Sequence, residues 1–470
     1  MPTGSSVTGP KGSALALPPA TTLAEIPAQT TLEPLESGDP RYVDINRGLG
    51  TRDLRRMRVC LEQSDANANR YAKIAFTGHR GCGKSTELLR MEHEISDRFT
   101  CLHLYVDETL IRDCQYSDLL LWLAHSLVEK AEELGLRAPP GLVKDVADWF
   151  AEKTLDDVKT VKHEIELEAT AEAKAGAGAF GVALKLLARI RARVQGNVEQ
   201  RQTIRLRLQS YGVELIERVN SLLDWFQQAL VDARWGPELL IVQDNLDRLP
   251  VDVGRHLFFD HGELLKQLRA HMIFTHPIAM VLAPYRIGAV FDNCYTMPMV
   301  KVRHRDGSPC DDGLNALIDL VGRRVAIDRV FTEEAVARSL AARSGGSVRD
   351  LLRLVTSAQQ EARLDGKTQI DQASADEAVK RLRLDFERLL VPSDVYFPLL
   401  AQIHRTKDLT LAGGTAAAAS TAQDAREFFS QLLFNGSVLE YNGDRNWYDV
   451  HPVILDIEAF QRALTSARAG

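Results

Sequence analysis

The sequence is short of cysteine, of any large excess of one charge, and of long apolar runs. Its six cysteines, Cys60, Cys82, Cys101, Cys114, Cys294 and Cys310, are scattered over 470 residues, and no two form a CxxC pair. That spacing argues against a zinc ribbon and a disulfide framework and suits a reducing compartment, so a cytoplasmic location is expected. The longest apolar candidate, residues 175–190, is interrupted by glycines and Lys185, and nothing approaches the ~20 residues needed to cross a bilayer. Near the start, Pro18 and Pro19 cut the apolar stretch and no basic region precedes it, which argues against a signal peptide. Lys and Arg number 57 against 64 Asp and Glu, a net charge of −7. A whole-protein basic field for nucleic acid or anionic membrane is therefore absent, and only a local patch could serve that purpose.

What is present is ordinary globular material: 45% apolar and 26% charged residues, neither disordered nor fibrous. The length suggests about three domains. Residues 1–38, rich in Pro, Gly, Ser and Thr, read as a disordered tail. Residues 39–305 read as an α/β domain. An apolar strand at 73–77, a glycine cluster, a helix at 87–95 and a second strand at 101–106 open a parallel sheet. Apolar strands return at 238–244, 271–283 and 295–302. Between them, the block at about 140–210 is dense in Lys, Arg, Glu and Ala. It reads as a helical insertion with a glycine-rich hinge at 175–181, most simply a solvated arm. Residues 306–390 read as a helical lid and 391–470 as a small C-terminal domain.

Gly78-His79-Arg80-Gly81-Cys82-Gly83-Lys84-Ser85-Thr86 fits GxxxxGK[ST], with a strand before it and a helix after it. Gly78, Gly81 and Gly83 allow backbone N–H groups to converge on phosphate oxygens without Cβ clashes. The helix N-terminus adds partial positive charge. Lys84 can reach the β and γ phosphates, the Ser85 hydroxyl can hold Mg²⁺, and Thr86 completes the motif. ATP and Mg²⁺ are the expected ligands. His79, Arg80 and Cys82 read as spacers, although a helix N-terminus would lower the Cys82 thiol pKa.

Asp244 closes the strand at 238–244 and suits the Mg²⁺ ligand of a Walker B element. Many ATPases follow this Asp with a glutamate that orients the attacking water. Here Asn245 stands there, whose amide can orient water but cannot take its proton. Asp247 is the nearest replacement base. The departure implies slow hydrolysis, or an ATP-binding scaffold without turnover.

Together with the helical segment Ser344-Gly345-Gly346-Ser347-Val348-Arg349-Asp350, these elements resemble the AAA+ and STAND branch of P-loop ATPases. The glycine–arginine segment is similar to the sensor-2 helix of origin-recognition, loader and transposition-regulator AAA+ ATPases. The resemblance spans about residues 40–390 without the insertion. It implies that Arg349, on a helix that follows a freely bending Gly345-Gly346 pair, contacts the γ-phosphate. It also implies a sensor-1 role for Thr275, and an arginine finger near Arg286. The wording around Asp244, Asp247 and Arg248 is also similar to KAP ATPases, whose usual membrane helices this sequence lacks.

Two helices followed by a hairpin turning at Asn442-Gly443 fit a winged helix-turn-helix, the module that follows the lid in origin-recognition ATPases. A DNA-reading second helix presents several Arg, Lys, Asn or Gln to a groove. The helix at 424–434 has only Arg426 and Gln431 among Phe428, Phe429, Leu432, Leu433 and Phe434, with Arg445 at the wing tip. This thin charge favours a packing or protein-contact role over DNA binding. The expectation is an α/β P-loop ATPase with a parallel sheet, helical lid, long helical insertion and C-terminal winged helix. It would act as a nucleotide-controlled switch on protein partners or through self-assembly; the STAND resemblance implies a setting in bacterial stress or phage defence. The rival is a DNA-associated ATPase of the loader or transposition type.

Overall fold

The computed structural model describes residues 18–64, 70–139, 141–172, 179–282, 287–291, 293–391, 393–409, 422–443 and 445–466. Five strands, β1 (Lys73–Gly78), β2 (Phe99–Tyr105), β3 (Glu238–Asp244), β4 (His271–His276) and β5 (Asn293–Met297), form one parallel sheet in the order β2-β3-β4-β1-β5. Side chains alternate between its faces. Ala75, Leu239, Ile241, Met272 and Phe274 enter one core, and Ile74, Phe76, Leu240, Val242 and Ile273 the other. Burial on both faces explains why these strands read as continuous apolar runs. β4 stops well short of residue 283, because Pro277 has no N–H for the ladder and Ile278–Leu282 coils into a 3-10 turn. The chain leaves β1 toward β2 on one side and reaches β5 on the other. β1 therefore stands at the switch point whose carboxyl-end crevice receives ligands in open α/β sheets.

The insertion is not a solvated arm. Helix Leu142–Thr154 packs on Gly212–Asp232, Ala179–Gly196 on Tyr116–Glu133, and Val198–Ser210 on both, while Val158–Glu172 packs on Ala179–Gly196. Val161, Ile165, Leu187, Ile190, Ile204 and Leu208 are buried in the same core as that face of the sheet. Charge density misled because two arginines point inward. Arg205 is bonded to Asp118 at 2.6 Å and to Asp113 at 2.9 Å, and Arg201 to Asp113 at 3.0 Å. The hinge segment at 175–181 falls mostly outside the described residues; its last part, 179–181, opens a helix.

Residues 18–38 correct the expectation of a tail. The Ala20 N–H donates to the Arg324 carbonyl and its own carbonyl accepts from Ala326, both at 2.8 Å. Ala20, Leu23 and Ile26 are buried against the lid. A few apolar residues among Pro and Thr suffice to dock the segment, which composition averages away. The lid comprises Asp311–Gly322, Glu334–Arg343, Val348–Leu364 and Gln372–Leu389, together with a short turn at Ile327–Val330. Its core joins Leu317, Leu351 and Val355 to the second sheet face.

The C-terminal part has helices Ser393–Thr406 and Ala422–Phe434, the antiparallel hairpin β6 (Val438–Tyr441) and β7 (Trp447–Val450), and a closing helix Glu458–Ser466. Phe429, Leu432 and Leu433 are buried in the core of this part, which is why the second helix carries so few cations. The hairpin serves two cores: Val438 and Val450 enter the C-terminal one, and Leu439, Tyr441 and Trp447 enter the lid. The Gly345-Gly346 pair is locked rather than free to bend. Both have positive φ, 64° and 88°. A Cβ on Gly345 would strike Leu439 and Pro452, and one on Gly346 would strike the Val300 carbonyl. No described helix is long and apolar enough to cross a membrane.

Candidate functional site

β1 runs into the glycine loop and the loop into helix Lys84–Glu94. Gly81 and Gly83 have φ of 87° and 102°, where glycine sits without steric cost. A Cβ on Gly78 would press on the Met297 carbonyl. A glycine loop of this shape ahead of a helix N-terminus is an anion-receiving arrangement. Lys84 is buried at its head. Its Nζ donates to the carbonyls of Gly78 and His79, each at 2.8 Å, and pairs with Asp247 Oδ2 at 2.8 Å. Burial opposes the ammonium, but Asp247, with Cys82 and Asp244 adding to it, outweighs burial and raises the Lys84 pKa above its ordinary value.

Asp244 ends β3 and is buried. Burial works to raise its pKa, yet hydrogen bonds from His103, from the Ser85 hydroxyl and from the Asn245 N–H hold it below the usual value. The Asn245 contact measures 2.7 Å. Ser85 and Asp244, the pair expected to hold Mg²⁺, are thus neighbours. Among the described residues no group of three or more His, Cys, Asp or Glu is arranged to hold a metal. Mg²⁺ here would need phosphate oxygens and water to complete its octahedron, as is usual for that ion. The donor set fits.

No motif signals His103, on β2 beside β3. Its Nδ1 lies 2.6 Å from Glu92 Oε1 and its Nε2 3.4 Å from Asp244 Oδ2. Burial alone would lower its pKa; Glu92 and Asp244 together raise it well above the ordinary value. A buried imidazolium therefore bridges the helix after the phosphate loop to the acidic end of β3. The only cue was one histidine in an otherwise apolar strand.

Asn245 has φ of 67° and lines the cleft with Asp247. Thr275 is buried; its hydroxyl donates to the Gln243 carbonyl at 3.3 Å and accepts from the Leu246 N–H at 3.0 Å. It ties β4 to the turn that carries Asn245 and Asp247. Arg349 is the second residue of helix Val348–Leu364, and its N–H donates to the Gly81 carbonyl at 3.2 Å. Its side chain lines the cleft with Arg80 and Arg248. Burial first, then Arg248, lowers its pKa. Arg286 lies outside the described residues. Cys82 is fully buried, and desolvation pushes its thiol up, which overturns the idea of an activated thiol.

The cleft has a volume of about 240 Å³. Lys84, Ser85, Asp247 and Arg349 line it together with the apolar Leu35, Val43, Leu320 and Leu352. The docked N-terminal segment supplies part of that lining. The Leu35 N–H donates to the Thr86 hydroxyl at 3.1 Å.

Two loop residues that read as spacers reach the C-terminal part. His79 is buried, and its Nε2 accepts the Glu440 N–H at 2.8 Å. Burial and then Lys84 drive its pKa down to about 3, so the ring is neutral and able to accept. The Arg80 guanidinium lies 4.3 Å from the centre of the Phe434 ring. Beside this contact, the Glu440 carbonyl accepts from the Met299 N–H at 3.0 Å, and the Tyr441 hydroxyl donates to the Gly345 carbonyl at 2.7 Å.

The Glu440 carboxyl gives a pH prediction. Burial pushes its pKa up from 4.5 to about 7, against bonds from Asn446 and Tyr448. Between those values the folded chain binds a proton that the unfolded chain has lost, so stability falls as pH rises through the window. The cost reaches about 3 kcal/mol above it. Glu440→Gln should therefore raise the thermal midpoint at pH 8 and leave it unchanged at pH 4. An equal shift at both pH values would mean that the carboxyl does not titrate there.

No family model matches the chain, and no curated protein matches it. Among solved structures it is similar to the ORC2 protein of Aeropyrum pernix in its ADPNP–ADP complexes. The identity is 12% over 94% of this chain and 98% of that one, with a TM-score of 0.43. The Walker-type ATPase of Pyrococcus abyssi aligns at 13% identity over 93% and 99%, with a TM-score of 0.40. The Drosophila ORC bound to DNA aligns at 10% over 97% and 96%, with a TM-score of 0.39.

Proposed function

We propose that the chain is a Mg²⁺-dependent, slowly hydrolysing ATPase that works as a conformational switch, passing its nucleotide state from the phosphate loop to the C-terminal part. The observation that carries this reading is the bond between His79, inside the loop, and the backbone of Glu440, beside the buried Lys84. ATP supplies a terminal phosphate and Mg²⁺ a divalent charge. Lys84 exchanges the Gly78 and His79 carbonyls and Asp247 for phosphate oxygens. Asp247 is then a released carboxylate in the cleft, beside Asn245, able to take a proton from water that the amide orients. Ser85 and Asp244 would hold the metal, and His103 keeps Asp244 ionised and aimed. Arg349 brings charge to the terminal phosphate and, through its N–H on Gly81, ties the lid helix to the loop.

A charge-assisted contact of Arg349 to a γ-phosphate is worth about 1.5–3 kcal/mol. Its loss changes the closed-state population by roughly one to two powers of ten. Sedimentation and small-angle scattering in ADP and in a non-hydrolysable ATP analogue test this. The parent should differ between the two states. Arg349→Ala and His79→Ala should still bind ADP, and lose the response to the analogue. Variants that respond as fully as the parent would overturn the switch. The helix–helix–hairpin order keeps a DNA-associated ATPase of the loader type as the second reading, and phosphate release stimulated by DNA would select it.

A further inference from the structure

Beyond the turn that carries Asn245 and Asp247, the chain forms a short helix, Val251–Arg255, and a π turn, His256–Asp260, before helix Gly262–Lys266 and β4. In an α-helix, residues five apart point to different sides, about 140° from each other. A π turn closes its backbone bonds over one more residue, which brings residue i+5 over residue i, and such turns are frequent at functional sites. The two residues brought together here are both histidines. His256 Nε2 and His261 Nε2 lie 3.3 Å apart, with the ring planes at 85°. On the far side of its ring, His256 Nδ1 faces Asp260 Oδ2 at 2.8 Å. The His261 ring rests against the buried Tyr116 ring, with centroids 4.5 Å apart. His256 is exposed and His261 half-buried, so solvent reaches the pair, and neither histidine lines the nucleotide cleft.

A separation of 3.3 Å is long for a hydrogen bond between the two rings. It matches the edge of a tetrahedron instead, since two nitrogens bound to one zinc ion at about 2.0–2.1 Å lie about 3.3–3.4 Å apart. Square-planar copper would draw them to about 2.9 Å. Asp260 supplies what a histidine ligand usually has, a carboxylate that takes the Nδ1 proton and leaves the Nε2 lone pair for the metal. Tyr116 holds the second ring in place before any ion arrives. Among the described residues no third His, Cys, Asp or Glu is placed to coordinate with the pair, so water would fill the remaining positions. We propose that His256 and His261 form a zinc site, with Asp260 as its positioning residue, on the segment that links Asp247 to Thr275. A bound ion would clamp the two ends of the π turn together.

The test is calorimetric titration of the full chain with zinc chloride, without nucleotide, which would itself chelate the metal. His256→Ala combined with His261→Ala should bind about one equivalent of zinc fewer than the parent. Asp260→Ala should weaken that equivalent by about tenfold or more. Asp260→Asn, which keeps an acceptor oxygen for Nδ1, should recover part of the loss. Zinc should also raise the thermal midpoint of the parent more than that of the double variant, because an ion that binds only the folded chain stabilises it. All variants should keep the parent's ATP affinity, which shows that they are folded and separates this site from the nucleotide cleft. A parent that binds no zinc, or a double variant that binds as much of it and as tightly, would overturn the proposal. Binding of copper without zinc would overturn the tetrahedral assignment.

Discussion

Lys84→Ala is expected to weaken ATP binding by on the order of a hundredfold, the loss of a charge-assisted contact worth about 1.5–3 kcal/mol plus a repulsion. The repulsion comes from Asp247. Its carboxylate lies 2.8 Å from Lys84 Nζ, and its side chain is only 10% exposed. Without Lys84 it faces incoming phosphates as an unpaired charge. Calorimetric titration with Mg–ATP measures the affinity. The double variant Lys84→Ala/Asp247→Ala should regain part of the loss, since residues in contact couple non-additively. Unchanged ATP affinity in the single variant would falsify the phosphate-loop assignment. A double variant no better than the single one would show that Asp247 does not face the phosphates.

Asp244→Asn should lower phosphate release by about a hundredfold or more, because a metal's charge stabilisation is worth several kcal/mol at a transferring phosphate. An amide at this position cannot balance Mg²⁺ or the buried His103. ATP affinity should fall far less, since Lys84 and the glycine loop are untouched. The readout is the Mg²⁺ dependence of phosphate release together with the thermal shift that Mg²⁺ adds to ATP. A variant that keeps the parent's Mg²⁺ response would move the metal away from Ser85 and Asp244. Asp247→Asn is the companion measurement, and the parent's turnover in it would place the base elsewhere.

The sheet and the glycine loop were legible because their signals are local. A buried parallel strand needs consecutive apolar residues, and a phosphate loop needs glycines at fixed offsets ahead of a helix. Residue roles set by distant partners were not legible. Composition places Arg201 and Arg205 on a solvated face, and only their contacts with Asp113 and Asp118 bring them inside. Similarly, Glu92, His103 and Asp244 lie on three separate elements, so no spacing in the chain reveals them as one chain of charges. The segment at 18–38 failed for a related reason, since its three anchoring side chains are too few to shift a windowed average. In the sequence, Asp247 reads as a base only through its nearness to Asp244. Its contact with Lys84 adds a second duty that spacing does not carry.

The bond from Glu440 to His79 joins residues 361 positions apart. During synthesis the glycine loop leaves the ribosome long before its donor exists, and domains fold as their sequence emerges. Until the β6–β7 hairpin arrives, the His79 ring lacks the N–H it accepts in the folded chain, and the loop keeps its own geometry alone. A nascent chain, or a fragment cut ahead of Val438, thus carries every residue of the nucleotide motif but lacks the strand that braces it. The order of synthesis thereby postpones the finished site until β6 has emerged.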